Sequence, residues 1–209
     1  PHRPARLVPI VWKLAFAEDA THGLFRECAY VEKSLKLGGA GDTNPAGRVH
    51  AIFHGLFDRE ADKLSLVSLA STMTVRQKRD AIEAAACMQL EQWLGDGHSG
   101  RDAPVILQLV KRKARAEGKD QSAQTKAALK LADRLALVRR LGDFAFEKPV
   151  ITQEEVAEHL KRLRNDWCKG SWRDSANKFI PQPAARRHAH IRVIDPVEVS
   201  GGEDPAHLM

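Results

Sequence analysis

"TVRQKRDAIEAAACMQLEQWLG", Thr74 to Gly95, reads as a helix with both of its ends written in. Thr74 offers a hydroxyl to the orphan N–H groups of a first turn, and Gln77 three residues on can return the bond. Gly95 takes the left-handed conformation that closes a helix without a Cβ clash. The residues between predict a rod of roughly 30 Å. Val75, Ile82, Ala86 and Trp93 fall on one side of it, with Leu90 and Leu94 beside them, while Lys78, Glu83 and Glu91 fall elsewhere. The spacing therefore predicts a core helix with one wet side.

The same punctuation recurs along the chain. In "DAPVILQLVKRKARAEG" Asp102 is placed to cap, Pro104 sits in the first turn where its missing N–H costs nothing, and Gly118 terminates. "QSAQTKAALKLADRLALVRRLG" carries Ala128, Leu131, Leu135 and Val138 as a packing seam before Gly142, so the two segments predict an antiparallel helical hairpin joined at "GKD". In "TQEEVAEHLKRLRNDWCKG" Thr152 caps, Glu155 closes a capping box, and Val156, Leu160, Leu163 and Trp167 form an apolar stripe. Ser171 to Phe179 repeats the device in miniature. Strand signals are thin, the best being "HIRVIDPVEV", where Ile191 and Val193 alternate with His190 and Arg192 before Pro196 interrupts. The expected fold is mainly α: a multi-helix bundle with short helical hairpins and at most one short β-strand or hairpin near the C-terminus.

Hydrophobic residues at 43% and charged residues at 29% place the chain among ordinary globular proteins rather than disordered ones. The longest apolar run, "LVPIVWKLAFA", contains Lys13 and Pro9 and is far shorter than the roughly 20 residues a membrane span needs. No cleavage pattern follows it, so the expectation is a soluble, cytoplasmic protein with no membrane partner. Cys28, Cys87 and Cys168 are odd in number and widely spaced, which predicts buried free thiols rather than a disulfide framework or thiolate zinc site.

Charge divides the chain. Residues 101–192 hold 21 Lys plus Arg against 11 Asp plus Glu, a net of +10, whereas the remainder holds 12 against 16, a net of −4. The expected organisation is a net acidic helical half over 1–100, a basic helical half over 101–192 packed on it as one body, and a mobile tail over 193–209. The cations cluster at Lys111, Arg112, Lys113 and Arg115; at Arg139 and Arg140; at Lys161, Arg162 and Arg164; and at Arg186, Arg187 and Arg192. Lys126, Lys130 and Arg134 form an i, i+4, i+8 ridge that the Leu131/Leu135 seam would aim at solvent. Such a surface attracts polyanions and releases counterions from a phosphate backbone. The expectation is a non-enzymatic DNA- or RNA-binding protein that needs no cofactor and acts beside other protein subunits in a nucleoprotein assembly.

"TQEEVAEHL" also resembles the opening helix of many helix-turn-helix DNA-binding units. That resemblance implies that Ser171 to Phe179 is a recognition helix presenting Arg173, Asn177 and Lys178 to the major groove. The first helix is about twice too long for the pattern, and the turn lacks the usual compact apolar–glycine arrangement.

Two histidine pairs raise other chemistry. His50 and His54 in "RVHAIFHGLFDREAD" have the spacing that places two imidazoles on one metal, with Asp58 one turn on, but there is no Glu after His50 as a zinc hydrolase would have. Val49, Ile52, Phe53, Leu56 and Phe57 share an arc into which Glu60 would fall, so this helix is expected to end near Asp58. His188 and His190 would share one face of a strand, suited to a metal, to acid–base work on a phosphodiester, or, with Arg186, Arg187 and Arg192 alongside, to phosphate binding. A histidine- or metal-dependent nuclease and a helical protein–protein adaptor that docks through "LVPIVW" are the alternative readings. No nucleotide-binding glycine loop or serine-hydrolase elbow is present.

Overall fold

The structure, a computed structural model, describes residues 5–39, 41, 44–65, 68–95, 97–98, 100–118, 120–141, 152–168 and 185–199. Over these residues the chain is mainly α. In chain order it forms β1 (Ala5–Leu7), β2 (Ile10–Phe16), α1 (Thr21–Leu35), α2 (Pro45–Leu64), α3 (Val75–Leu94), α4 (Ala103–Ala116), α5 (Ala123–Arg139), α6 (Gln153–Asp166), β3 (Arg187–Val193) and β4 (Val197–Val199). The expected second helix of a helix-turn-helix, with Arg173, Asn177 and Lys178, lies outside the described residues.

The helix ends follow their local chemistry. Thr74 and Gln77 make both bonds of the capping box on α3, and Gly95 with φ 96° closes it. Thr152 and Glu155 do the same for α6. Asn44, followed by Pro45 in the first turn, accepts from the Gly47 N–H at 2.7 Å and starts α2. Asp102 departs from its expected role: it precedes α4 but makes no side-chain cap bond.

Two apolar clusters run through one stack of helices. The first gathers α1, α2 and α6 around Phe53, Phe57, Leu24, Leu160 and Leu163, with Val75 and Ile82 of α3 and Val138 from the end of α5. The second packs Ala86 and Leu90 of α3 against Ile106 and Val110 of α4 and Ala132 and Leu135 of α5. The rods α3 and α5 cross both clusters and tie them together. Leu131, expected on the α5 seam, is only half-buried; Ala132 takes the inner position. Cys28 and Cys168 are buried free thiols and Cys87 is a half-buried one, and burial pushes the Cys28 thiol up to about 12. Among the described residues no helix is long and apolar enough to cross a membrane.

Two corrections concern α2 and α3. The helix that Glu60 was expected to end near Asp58 runs on to Leu64, with Glu60 fully buried. Lys78, expected on the wet side of α3, is buried as well. Both are charged side chains carried inward by the fold because an opposite charge waits there, Arg134 for Glu60 and Asp58 for Lys78.

"HIRVIDPVEV" does form strands, interrupted before Pro196, and its partner comes from the other end of the chain. β2 pairs antiparallel with β3, from Ile10 opposite Val193 to Phe16 opposite Arg187, and β1 pairs with β4. Between the two ladders Val8 and Pro9 face Ile194, Asp195 and Pro196, a mismatch of two against three that makes a bulge where both prolines lack an N–H. The Ile194 N–H donating to Pro9 O at 2.9 Å holds it. The first seven residues of the expected tail, 193–199, thus belong to a ribbon. Its base is fastened by the start of α6: Glu154 accepts the Phe16 N–H at 2.8 Å and Gln153 accepts the Ala20 N–H at 3.0 Å.

Candidate nucleic-acid interface

The cations expected to form a phosphate track divide into two sets once their partners are known. The first set is engaged. Arg134 reaches across from α5 to the buried carboxylate of Glu60, its Nε donating at 2.8 Å, and its guanidinium lies 4.6 Å over the Trp167 ring. Arg59 and Lys63 also approach Glu60, at 3.4 and 3.7 Å. Arg164 is 4% exposed, donates to Glu27 at 2.6 Å and stacks 4.4 Å over Tyr30. Arg139 bridges to Glu83, Arg140 to Asp166 at 3.3 Å, and Arg162 to Glu158 one turn back at 3.0 Å. Lys113 donates to the terminal carbonyls of α3, Trp93 O at 2.8 Å and Leu94 O at 3.3 Å, and sits 4.5 Å over the Trp93 ring. That is the interaction a helix C-terminus offers a cation.

Arg164 and Arg134 are therefore corrections to the surface reading. Arg164 lies inside the fold, and Arg134 turns away from the expected ridge toward Glu60. The reason is electrostatic: a buried carboxylate without a partner costs several kcal/mol, so burying Glu27 and Glu60 demands guanidinium groups beside them. The acidic first half and the basic second half are partly complementary interiors.

The second set is exposed. α4 buries Ala103, Ile106, Val110 and Ala114, which leaves Lys111, Arg112 and Arg115 on its outer side, and this helix carries no Asp or Glu. On α5 Lys126 and Lys130 remain exposed one turn apart, and Lys161 is exposed on α6. Lys130 also stands at a groove of about 370 Å³ lined by Leu90, Trp93, Ala128 and Leu131.

The ribbon adds a face that sequence reasoning missed. Residues paired across an antiparallel ladder point to the same side. Lys13 opposite His190, Val11 opposite Arg192 and Ala15 opposite His188 make one face basic. Ile10 with Val193, Trp12 with Ile191 and Leu14 with Ala189 make the other apolar. No carboxylate occurs within β2 or β3. Arg186 lies at the base, and Arg187 folds 4.9 Å over the Phe16 ring. Lys13 is the residue no local pattern could mark, since only the long-range register places it beside His190 and Arg192.

The histidines of α2 resolve differently. His50 and His54 stack edge to face with centroids 4.8 Å apart, but Asp58, which would complete a chelating set, is clamped by the Lys78 ammonium at 2.6 and 2.8 Å. A cation bound there would have to displace another cation. Among the described residues no group of three or more His, Cys, Asp or Glu is placed to hold a metal ion. His188 and His190 are exposed beside Lys13 and Arg192, a setting that repels a metal and suits a phosphate.

Burial, followed by the charges of His50 and Lys78, holds the His54 imidazole below its ordinary range; burial, followed by Arg162, does the same for His159, which packs edge-on to Phe53. An unfolded chain takes up these protons first as pH falls below the ordinary value of 6.5. The stability held by the neutral rings is therefore present above that value and lost as pH drops toward the lower folded values. The melting temperature is expected to fall as pH drops below about 6.5, and His159→Gln should flatten the fall; an unchanged slope in that variant would show that His159 does not contribute to it.

No protein-family model, no curated protein and no solved structure matches this chain.

Proposed function

We propose that the protein binds DNA or RNA through the phosphate backbone, without base readout and without catalysing a reaction on it. One observation carries this reading. After the internal ion pairs take their share of the expected track, most of the cations left exposed lie on elements with almost no acid: Lys111, Arg112 and Arg115 on α4, Lys126 and Lys130 on α5, and Lys13, His188, His190 and Arg192 on the ribbon, with Lys161 on the acid-bearing α6 as the exception. A solvated surface with no ligand would more ordinarily intersperse carboxylates among them.

The strip of His188 and His190 supports phosphate contact rather than cleavage, because neither β2 nor β3 carries a carboxylate beside these rings to orient an imidazole as a base. The exposed apolar face of the same ribbon supports work beside other protein subunits, since such a face is otherwise left in water. Fluorescence anisotropy on labelled random single-stranded DNA, duplex DNA and RNA tests the proposal. Dissociation constants of about 10⁻⁶ M or tighter are expected at about 50 mM salt. Absence of binding to all three would end this reading.

A further inference from the structure

The most anomalous surface of the molecule is the apolar face of the β2–β3 ribbon. Trp12 is 65% exposed, Ile191 68%, Val193 63% and Ile10 61%, all on one side. Two strands alone are marginal in water, and stability normally requires a further layer against the hydrophobic face. Among the described residues such cover is found at the base of this ribbon, where Phe16 joins the first apolar cluster. Within the β2–β3 ladder the one ionic group on the face, Arg187, lies at that base against Phe16, so covering the rest of the ladder buries no charge.

We propose that this face is a self-association surface, and that two copies of the chain stack their ribbons face to face about a two-fold axis. Three features favour a second copy over another occupant. The face is two strands wide and a few residues long, so an identical ribbon covers it edge to edge. Two such faces together remove on the order of 1,200 Å² from water, the lower bound of a specific interface. The rows also differ in size, the Trp12 indole standing next to the row that holds Ala189, the one small residue of the face. A two-fold relation sets the large ring of one copy over the small residue of the other, in the manner of interdigitated sheets about 10 Å apart. Lys13, His190 and Arg192 then point outward on both sides of a two-layer sandwich, so like charges stay apart and each dimer presents two basic faces. The inference does not depend on nucleic-acid binding.

Sedimentation of the full chain without nucleic acid tests it. At about 100 μM the expected mass is twice the 23.2 kDa of one chain, and raising salt from about 50 to 500 mM leaves it unchanged because the contact is apolar. Trp12→Arg and, separately, Ala189→Arg should raise the dimer dissociation constant at least about tenfold, whereas Lys13→Glu on the opposite face should not. These side chains are exposed, so far-ultraviolet circular dichroism should match the wild type and separate lost association from lost fold. A monomer at about 100 μM, a dimer that salt dissociates, or a dimer indifferent to Trp12→Arg would each overturn the proposal.

Discussion

Glu27→Ala is expected to destabilise the fold by about 3 kcal/mol, because it strips a buried guanidinium of its carboxylate. For a chain of this size that is a fall of roughly 6–12 °C in melting temperature. Glu27 sits on α1 and Arg164 on α6, joined at 2.6 Å with only 4% of Arg164 exposed, so solvent cannot replace the lost charge. Arg162 and Glu158, paired one turn apart at the surface of α6, provide the contrast. Glu158→Ala should cost only a few tenths of a kcal/mol, as exposed helical pairs do. Adding Arg164→Met to Glu27→Ala should recover part of the loss, since removing both charges ends the desolvation cost that one alone suffers. Equal melting temperatures for Glu27→Ala and Glu158→Ala would show that the interior pair does not hold α1 to α6.

The other large effect is on affinity. If the proposed phosphate contacts form, reversing Lys111, Arg112 and Arg115 together to Glu removes three of them and adds three repulsions on a helix with no acid of its own. The expected loss is about 10²- to 10³-fold at about 50 mM salt, uniform across DNA sequences, and the slope of log affinity against log salt should shrink by about 3. The matched control is Arg139→Gln with Arg140→Gln. Their guanidinium groups already face Glu83 and Asp166, so the same assay should move less than about threefold. If the control lost as much as the reversal, the distinction between engaged and exposed cations would be empty.

Why some of this was legible in the sequence and some was not follows from range. The boxes at Thr74/Gln77 and Thr152/Glu155 span three residues, so the residues that make the bonds are visible together. The stripe of Val156, Leu160, Leu163 and Trp167 is equally local, and all four are buried. Glu60 and Lys78 misled because the fate of a charged side chain depends on a partner the helix does not contain. Glu60 meets Arg134 from 74 residues away, and Lys78 meets Asp58 across the α2–α3 contact. Periodicity placed Glu60 in the apolar arc and Lys78 away from it; only the partners explain why the first does not end its helix and the second is not wet. The ribbon failed for a related reason. "LVPIVWKLAF" is apolar at nearly every position, which hides a period of two, and its partner strand lies more than 170 residues on. With β2 unseen, Lys13 could not be joined to the strip of His188, His190 and Arg192, and the apolar face made by Trp12 and Ile191 could not be seen either.

The central claim, that exposed cations on α4, α5 and the ribbon hold a phosphate backbone, is tested most directly by the salt dependence of the intact chain's affinity for random duplex DNA and RNA. Six or more contacts predict a slope near −5 and a loss of roughly 10³-fold between about 50 and 200 mM salt. A slope near zero, or no binding at the lower salt, would contradict it.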